Sequence, residues 1–373
     1  MSQRDDLAYW LALNRAPGLG PVGLRTLFRH QPEPRLVFKS TLAELRELGL
    51  QEKTLAYLAA PDWAAVDQDL AWATQARHHL VTLSDDHYPP RLREIADPPL
   101  VLFVLGELAV LLESQVAVVG SRNPTPTATE TTFELAKQLS RCGVVVTSGL
   151  ALGIDGVAHR GALEGGGKTV AVLGSGPDRI YPARHAELAA RVVAAGALVT
   201  EFPPGTPPRS AHFPRRNRVI SGLSLGVLVT EAAARSGALI TARLAAEQGR
   251  EVFAVPGSIY NPLSRGCHAL IRQGAKLVEG IADILEEIAP QIVIPHSVPG
   301  PGCAVDCPDT PSLGKLQAQV LAQIAFEPLS VDAVVERTGL TPEVVSSILC
   351  DLELQGVVSA LPGARYARAA KKG

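Results

Sequence analysis

The chain has 373 residues, more than one ordinary domain, which points to two or three compact units. Hydrophobic residues make up 46% and charged residues 19%, which excludes a largely disordered chain, and no apolar run reaches the ~20 residues that cross a bilayer. The formal net charge of −2 excludes a surface coated in positive charge, so a nucleic-acid partner would have to be met by cations gathered locally.

The polar start MSQRDDLAYW lacks a signal-peptide pattern, and five scattered cysteines do not make a disulfide framework. A reducing cytoplasm is the expected location. Residues 1–112 read as short helices with an extended connector. The segment LALNRAPGLGPVGLRTLF sets Gly18-Leu19-Gly20 between two helical patterns, and a weaker copy turns at Gly49. Arg15, Arg25 and Arg29 near the first hairpin are candidates for backbone contact with DNA, against the plainer reading of a tight helix–helix turn.

Residues 113–289 alternate strand and helix as a Rossmann-like, doubly wound parallel sheet does. Strands are predicted at 116–120, 144–148, 169–173, 197–200, 226–230, 251–255 and 275–278, and helices at 128–141, 183–195 and 238–248. The near-continuous Val/Ala/Leu strands suit a sheet covered on both faces. Residues 290–312 form a proline-rich linker, and 313–373 read as three helices and a hairpin, the order of a winged helix.

Four loops follow strands at one predicted sheet edge. Gly120-Ser121-Arg122 precedes a helix and offers free N–H groups and a guanidinium to an anion. Ser148-Gly149 opens the second loop, Gly174 opens the third, which also carries Tyr181 and Arg184, and Ser236-Gly237 starts a helix after the fourth. In a doubly wound sheet such loops converge in one crevice. The densest charge is Arg209-Ser210-Ala211-His212-Phe213-Pro214-Arg215-Arg216-Asn217-Arg218, four arginines without an acid around one aromatic ring. Single-strand binders combine cations that track phosphates with rings that stack on bases. The competing reading is a solvated helix start with a buried Phe213.

No Gly-x-Gly-x-x-Gly opens the first helix and no P-loop is present, so dinucleotide and P-loop nucleotide sites are not indicated, and neither a cofactor nor a metal is expected. Ser175 is not on a nucleophile elbow. Asp155 and His159, at helical spacing, read as a helix-cap contact and a surface histidine rather than a base or metal pair. Cys303 and Cys307 with His296 lack an evident fourth zinc ligand.

Taken together, VAVVGSRNPT, VVTSGLALGIDGVAH, TVAVLGSGPDRIYP, HFPRRNRVISGLS, EAAARSGALITARLAAEQGREVFAVPG and SRGCHALIRQGAKLV resemble the DNA-processing protein A family, also called Smf. The resemblance spans about 116–288. It implies a protein without catalytic residues that binds single-stranded DNA and loads RecA recombinase onto it during natural transformation. It also implies a homodimer formed through about 238–285, with a small N-terminal helical domain of the SAM or helix-hairpin-helix kind and a C-terminal winged helix as flanks. Arg122 falls on the family's Gly-Ser-Arg arginine and Phe213 on its base-stacking ring. Two family lysines fall on Ala183 and Ser210, with Arg184 and Arg209 adjacent.

The competing class is an enzyme, a nucleoside 5′-monophosphate phosphoribohydrolase on the same kind of sheet. Arg235-Ser236-Gly237-Ala238 occupies the comparable place, but Arg243 and Leu244 stand where a catalytic glutamate is needed. The predicted winged-helix recognition helix, 342–354, carries Glu343, Asp351 and Glu353 and no cation, which favours a protein-binding or stabilising role over DNA reading.

Overall fold

The computed structural model describes residues 5–291, 315–324, 329–354, 357–361 and 363–368. The linker read at 290–312 falls almost wholly outside the described residues, as do His296, Cys303 and Cys307. The chain divides into two compact units, residues 1–293 and 294–373.

The first unit is built on nine strands: β1 (His78–Thr82), β2 (Val101–Gly106), β3 (Gln115–Val119), β4 (Val145–Ser148), β5 (Thr169–Val172), β6 (Ala197–Thr200), β7 (Gly226–Val229), β8 (Glu251–Ala254) and β9 (Lys276–Leu277). Their order is β1-β2-β6-β5-β4-β3-β7-β8-β9. From β6 to β9 every pairing is parallel, while β2 pairs antiparallel with both β1 and β6. The chain winds outward from β3 to β6 and then returns to place β7 beside β3. That reversal is a topological switch point, where the loops at the strand ends part and leave a crevice.

Alternation explains the two covered faces. Ala117 and Val119 join Val145, Val170, Val172 and Val227 in one core cluster, whereas Val116 and Val118 join Val146, Leu228 and Phe253 in another. Full burial of each such Val or Leu is worth ~1.5–3 kcal/mol.

The two strands before Gln115 were not foreseen. The sequence pattern there predicts helices and a connector, yet β1 and β2 extend the sheet past β6. β2 serves both sides: Val101 and Phe103 pack with the N-terminal helices, and Leu102 and Val104 with the main core. Among the described residues six helices precede β1, including Asp6–Arg15, Pro21–His30 and Trp63–Ala73. Arg15 is no free DNA contact, because it grips the buried Asp69 in a bidentate pair at 2.6 and 2.7 Å.

A polar ladder crosses the sheet interior. Thr147 donates to Gln115 Oε1 (2.6 Å), and Thr169 donates to the Val146 carbonyl (2.6 Å). The Thr169 oxygen therefore accepts from His159 Nδ1 at 2.7 Å, which fixes the tautomer. His159 is fully buried, not the surface residue expected, with Nε2 unpartnered. Burial pushes its imidazole down to about 3, and neighbouring His185 and Arg216 act in the same direction.

The folded value lies below the usual 6.5, so the contribution of neutral His159 is complete above the unfolded value and is lost as pH falls towards the folded one. Urea unfolding at about pH 7 and about pH 5 should show the parent chain losing about 2 kcal/mol more than His159→Asn. Equal losses would mean that His159 does not titrate on unfolding.

The second unit contains helices Lys315–Gln323, Val331–Thr338 and Pro342–Leu354 and strands β10 (Leu329–Ser330), β11 (Val358–Leu361) and β12 (Arg365–Arg368) in the order β10-β12-β11. Val334, Val345, Leu349 and Leu352 form its core, and Glu343, Asp351 and Glu353 are exposed. The winged-helix reading is correct, with β10 as an added strand.

Candidate functional site

A cleft of about 590 Å³ opens at the switch point between β3 and β7. Its wall is one face of the helix His212–Leu223, contributed by Phe213, Arg216, Asn217 and Ile220, a spacing of three, one and three that keeps them on one side. Opposite lie Gly120 and Arg122 after β3 and Ser236 and Gly237 at the start of the helix Gly237–Glu247. The first turn of that helix presents N–H groups that lack intrahelical acceptors.

Phe213 is half-buried and belongs to no core cluster. Its ring lies on Gly174, where an added Cβ would stand 3.0 Å from the ring. Tyr181 sits 5.7 Å away, centroid to centroid, and the Arg122 guanidinium lies 5.9 Å from the ring centre. Adjacent His212 pins the helix start: its Nδ1 donates to the Gly174 carbonyl (3.1 Å) and its ring stacks on Phe202.

The arginine run divides by helical phase. Arg216 points inward, donating to the carbonyls of Gly149 (2.6 Å) and Val172 (2.5 Å). Gly149 is required there, since a Cβ would fall 2.3 Å from the guanidinium. Burial pushes Arg216 down to about 10, with the Asp155 carboxylate opposing, so it stays charged at neutral pH. Asp155, raised by its own burial, accepts N–H bonds from Gly149 (3.1 Å) and Ala151 (3.3 Å) and so braces the second loop.

Arg215 and Arg218, three residues apart, face the other way, and both bond Glu201 Oε2 at 2.6 Å. Arg218 also donates to the Asp97 carbonyl and pairs with the Asp97 carboxylate at 3.1 Å. The idea of four free arginines in one groove is therefore corrected. Arg218 is buried and committed to the fold, Arg215 is neutralised by Glu201, and Arg216 forms the cleft floor.

Of the remaining candidates, Ser121 braces its loop: its N–H donates to the Glu231 carbonyl (2.8 Å) and its carbonyl accepts from Ile154. Ser148 is buried, with its hydroxyl donating to the Val118 carbonyl (2.6 Å), and is scaffold rather than contact surface. Gly149 and Gly174 likewise make room for Arg216 and Phe213. Arg184 and Arg209 are exposed beside the cleft-lining segments but do not themselves line the cleft. Neither they nor Arg122 pair with an acid among the described residues.

The cleft is also lined by Ile240 and Thr241, which the sequence reading does not single out, and by Tyr181, which is 51% exposed, and Ser210, neither of which it counts among the DNA contacts. Two organising carboxylates had also gone unnoticed, Glu201 after β6 and Glu231 after β7. Glu231 holds Thr125 N–H (3.0 Å) and Oγ1 (2.8 Å), so it fixes the first loop from behind. A signal was present. Leu-Val-Thr-Glu occurs twice, at 198–201 and 228–231, each time with the acid at the carboxyl end of a strand.

Fold and site define an α/β protein with an arginine- and aromatic-lined cleft at a switch point, preceded in the chain by a helical segment and followed by a winged helix. The family model described as DNA recombination-mediator protein A matches residues 79–289, and the DprA winged helix domain matches 306–364. The chain belongs to the DNA recombination-mediator protein A family, as its motifs suggested. It is 48% identical to Protein Smf of Escherichia coli over 80% of each chain. It is 47% identical to DNA processing protein DprA of Streptococcus pneumoniae over 55% of this chain and 73% of that one. The X-ray structure of the S. pneumoniae protein superposes with TM-score 0.68 at 36% identity, covering 75% of this chain and 97% of that one. DNA processing protein A from Helicobacter pylori, described for its single-stranded DNA binding mode, superposes with TM-score 0.52 at 28% identity, covering 57% and 97%.

Proposed function

We propose that the chain grips single-stranded DNA in the β3/β7 cleft and delivers the strand to RecA recombinase in transformation and recombination. The observation that carries this reading is the convergence of Arg122, Tyr181 and Phe213 with the helix start at Ser236-Gly237. In a chain of net charge −2, unpaired cations at the cleft and its margin supply the local counter-charge that phosphates require. The H. pylori relative's single-strand binding supports the choice of partner.

Both carboxylates around the cleft, Asp155 and Glu231, are occupied in holding loop N–H groups, which favours a binding role over nucleotide hydrolysis. A homodimer is part of the proposal. An open groove of about 640 Å³, lined by Leu239, Ile240, Val252 and Leu270 among others, lies within or near the implied 238–285 interface. No helix among the described residues is long and apolar enough to cross a membrane, and a cytoplasmic location goes with the proposed partners. The winged helix, with its acidic third helix, is assigned a protein-binding or stabilising role.

The test is salt dependence. Arg122→Ala should weaken binding of single strands of any sequence and flatten the log–log salt slope by about 0.7. A slope equal to that of the parent chain would remove Arg122 from the phosphate contacts.

A further inference from the structure

The loop between β8 and the helix Arg265–Arg272 presents two large hydrophobic side chains to solvent, Ile259 (73% exposed) and Tyr260 (87%). The loop is held in place. Asn261 Oδ1 accepts from Leu263 N–H (2.9 Å), Ser258 Oγ accepts from Tyr260 N–H (3.3 Å), and His268 meets the Gly257 carbonyl at 2.9 Å. A well-anchored loop that exposes an aromatic ring is built for contact.

Its position identifies the partner. β8 neighbours β7 in parallel, so the loop emerges at the same sheet edge as the cleft. Asn261 Nδ2 donates to Glu231 Oε1 (3.4 Å), the carboxylate that also fixes the first glycine loop. Gly266 N–H donates to the Ala232 carbonyl (2.8 Å), which sets exposed Arg265 against the segment leading into Ser236-Gly237. Arg265 pairs with no acid among the described residues.

We propose that Tyr260, edged by Ile259, is a second stacking platform for single-stranded DNA, continuing the strand's path from the β3/β7 cleft across the end of β8, with Arg265 meeting a phosphate between them. The proposal rests on the single-strand reading of the cleft. A ring takes any base, so the platform would add affinity without sequence preference. A second copy of the chain is the competing occupant, since Ile259, Tyr260 and Arg265 fall within the 238–285 span proposed above for the dimer. The flanking cation and the shared Glu231 anchor favour the nucleic acid, and the groove lined by Leu239 and Leu270 does not include Ile259 or Tyr260.

The experiment compares the intact protein with Tyr260→Ala, Tyr260→Trp and Phe213→Ala at one salt concentration. The probes are oligothymidylates of about 4 and about 16 nucleotides, the span of single-strand site sizes. Tyr260→Ala should bind the longer strand about tenfold more weakly and the shorter one within about twofold, with Tyr260→Trp restoring the loss. Phe213→Ala should weaken both. If Phe213→Ala weakens the long strand and Tyr260→Ala does not, the path ends in the cleft and the platform is refuted. If neither has an effect, the cleft reading itself fails. Sedimentation of the same samples tests the rival occupant, since a loss that follows a shift from dimer to monomer would make Tyr260 a contact between copies and overturn the proposal.

Discussion

Arg218→Ala is expected to destabilise the fold by roughly 3–5 kcal/mol and to leave the single-strand affinity of the folded protein within about threefold, a difference below ~1 kcal/mol. Glu201 and Arg218 side chains are 2% and 9% exposed, and their 2.6 Å contact is supported by Asp97. Removing the arginine leaves the Glu201 carboxylate buried with only the half-exposed Arg215 as partner. The loss arises from that uncompensated charge rather than from the net worth of the pair. Urea unfolding followed by a DNA titration separates the two effects. A stable variant with strongly weakened binding would return Arg218 to the DNA surface.

The second large effect is expected at Phe213. Phe213→Ala should cost ~1–3 kcal/mol of single-strand binding, the range for one base–aromatic stack. Its cost to stability should stay below the ~3–5 kcal/mol of a buried core phenylalanine. The ring sits on Gly174 with Tyr181 and Arg122 beside it and lies outside the core clusters, so little packing is lost. Tyr181 can take over part of the stacking, which places the expected loss towards the lower half of the range. Binding at parent strength together with a core-sized stability loss would show that the ring supports the fold.

Strands β3 to β8 were legible because most are short, largely apolar runs bounded by glycine-containing turns and alternating with helical patterns, which suits a doubly covered sheet. β1 was not. His78-His79 gives it a half-polar start, and its value lies in pairing with β2 across the proline-interrupted segment 83–100. The four loops were legible singly, and their convergence followed from the topology once β7 returned beside β3. The arginine run misled for a specific reason. Charge density is visible in sequence, but which cation is free depends on helical phase and on an acid placed elsewhere in the chain. Had 212–223 been read as a helix, the 213, 216, 217, 220 face would have separated from 215 and 218. Glu201 as the partner of that second face is a tertiary fact, hinted at only by the repeated Leu-Val-Thr-Glu.

The central claim is that the β3/β7 cleft holds single-stranded DNA. The most direct measurement is a competition titration of a labelled single-stranded oligonucleotide on the intact protein and on Arg122→Ala/Phe213→Ala, with unlabelled single strand and unlabelled duplex of the same sequence as competitors. The account predicts that the single strand displaces the label at far lower concentration than the duplex, and that the double variant, still folded, loses most of its affinity. Equal displacement by duplex together with parent-level affinity in the double variant would contradict it.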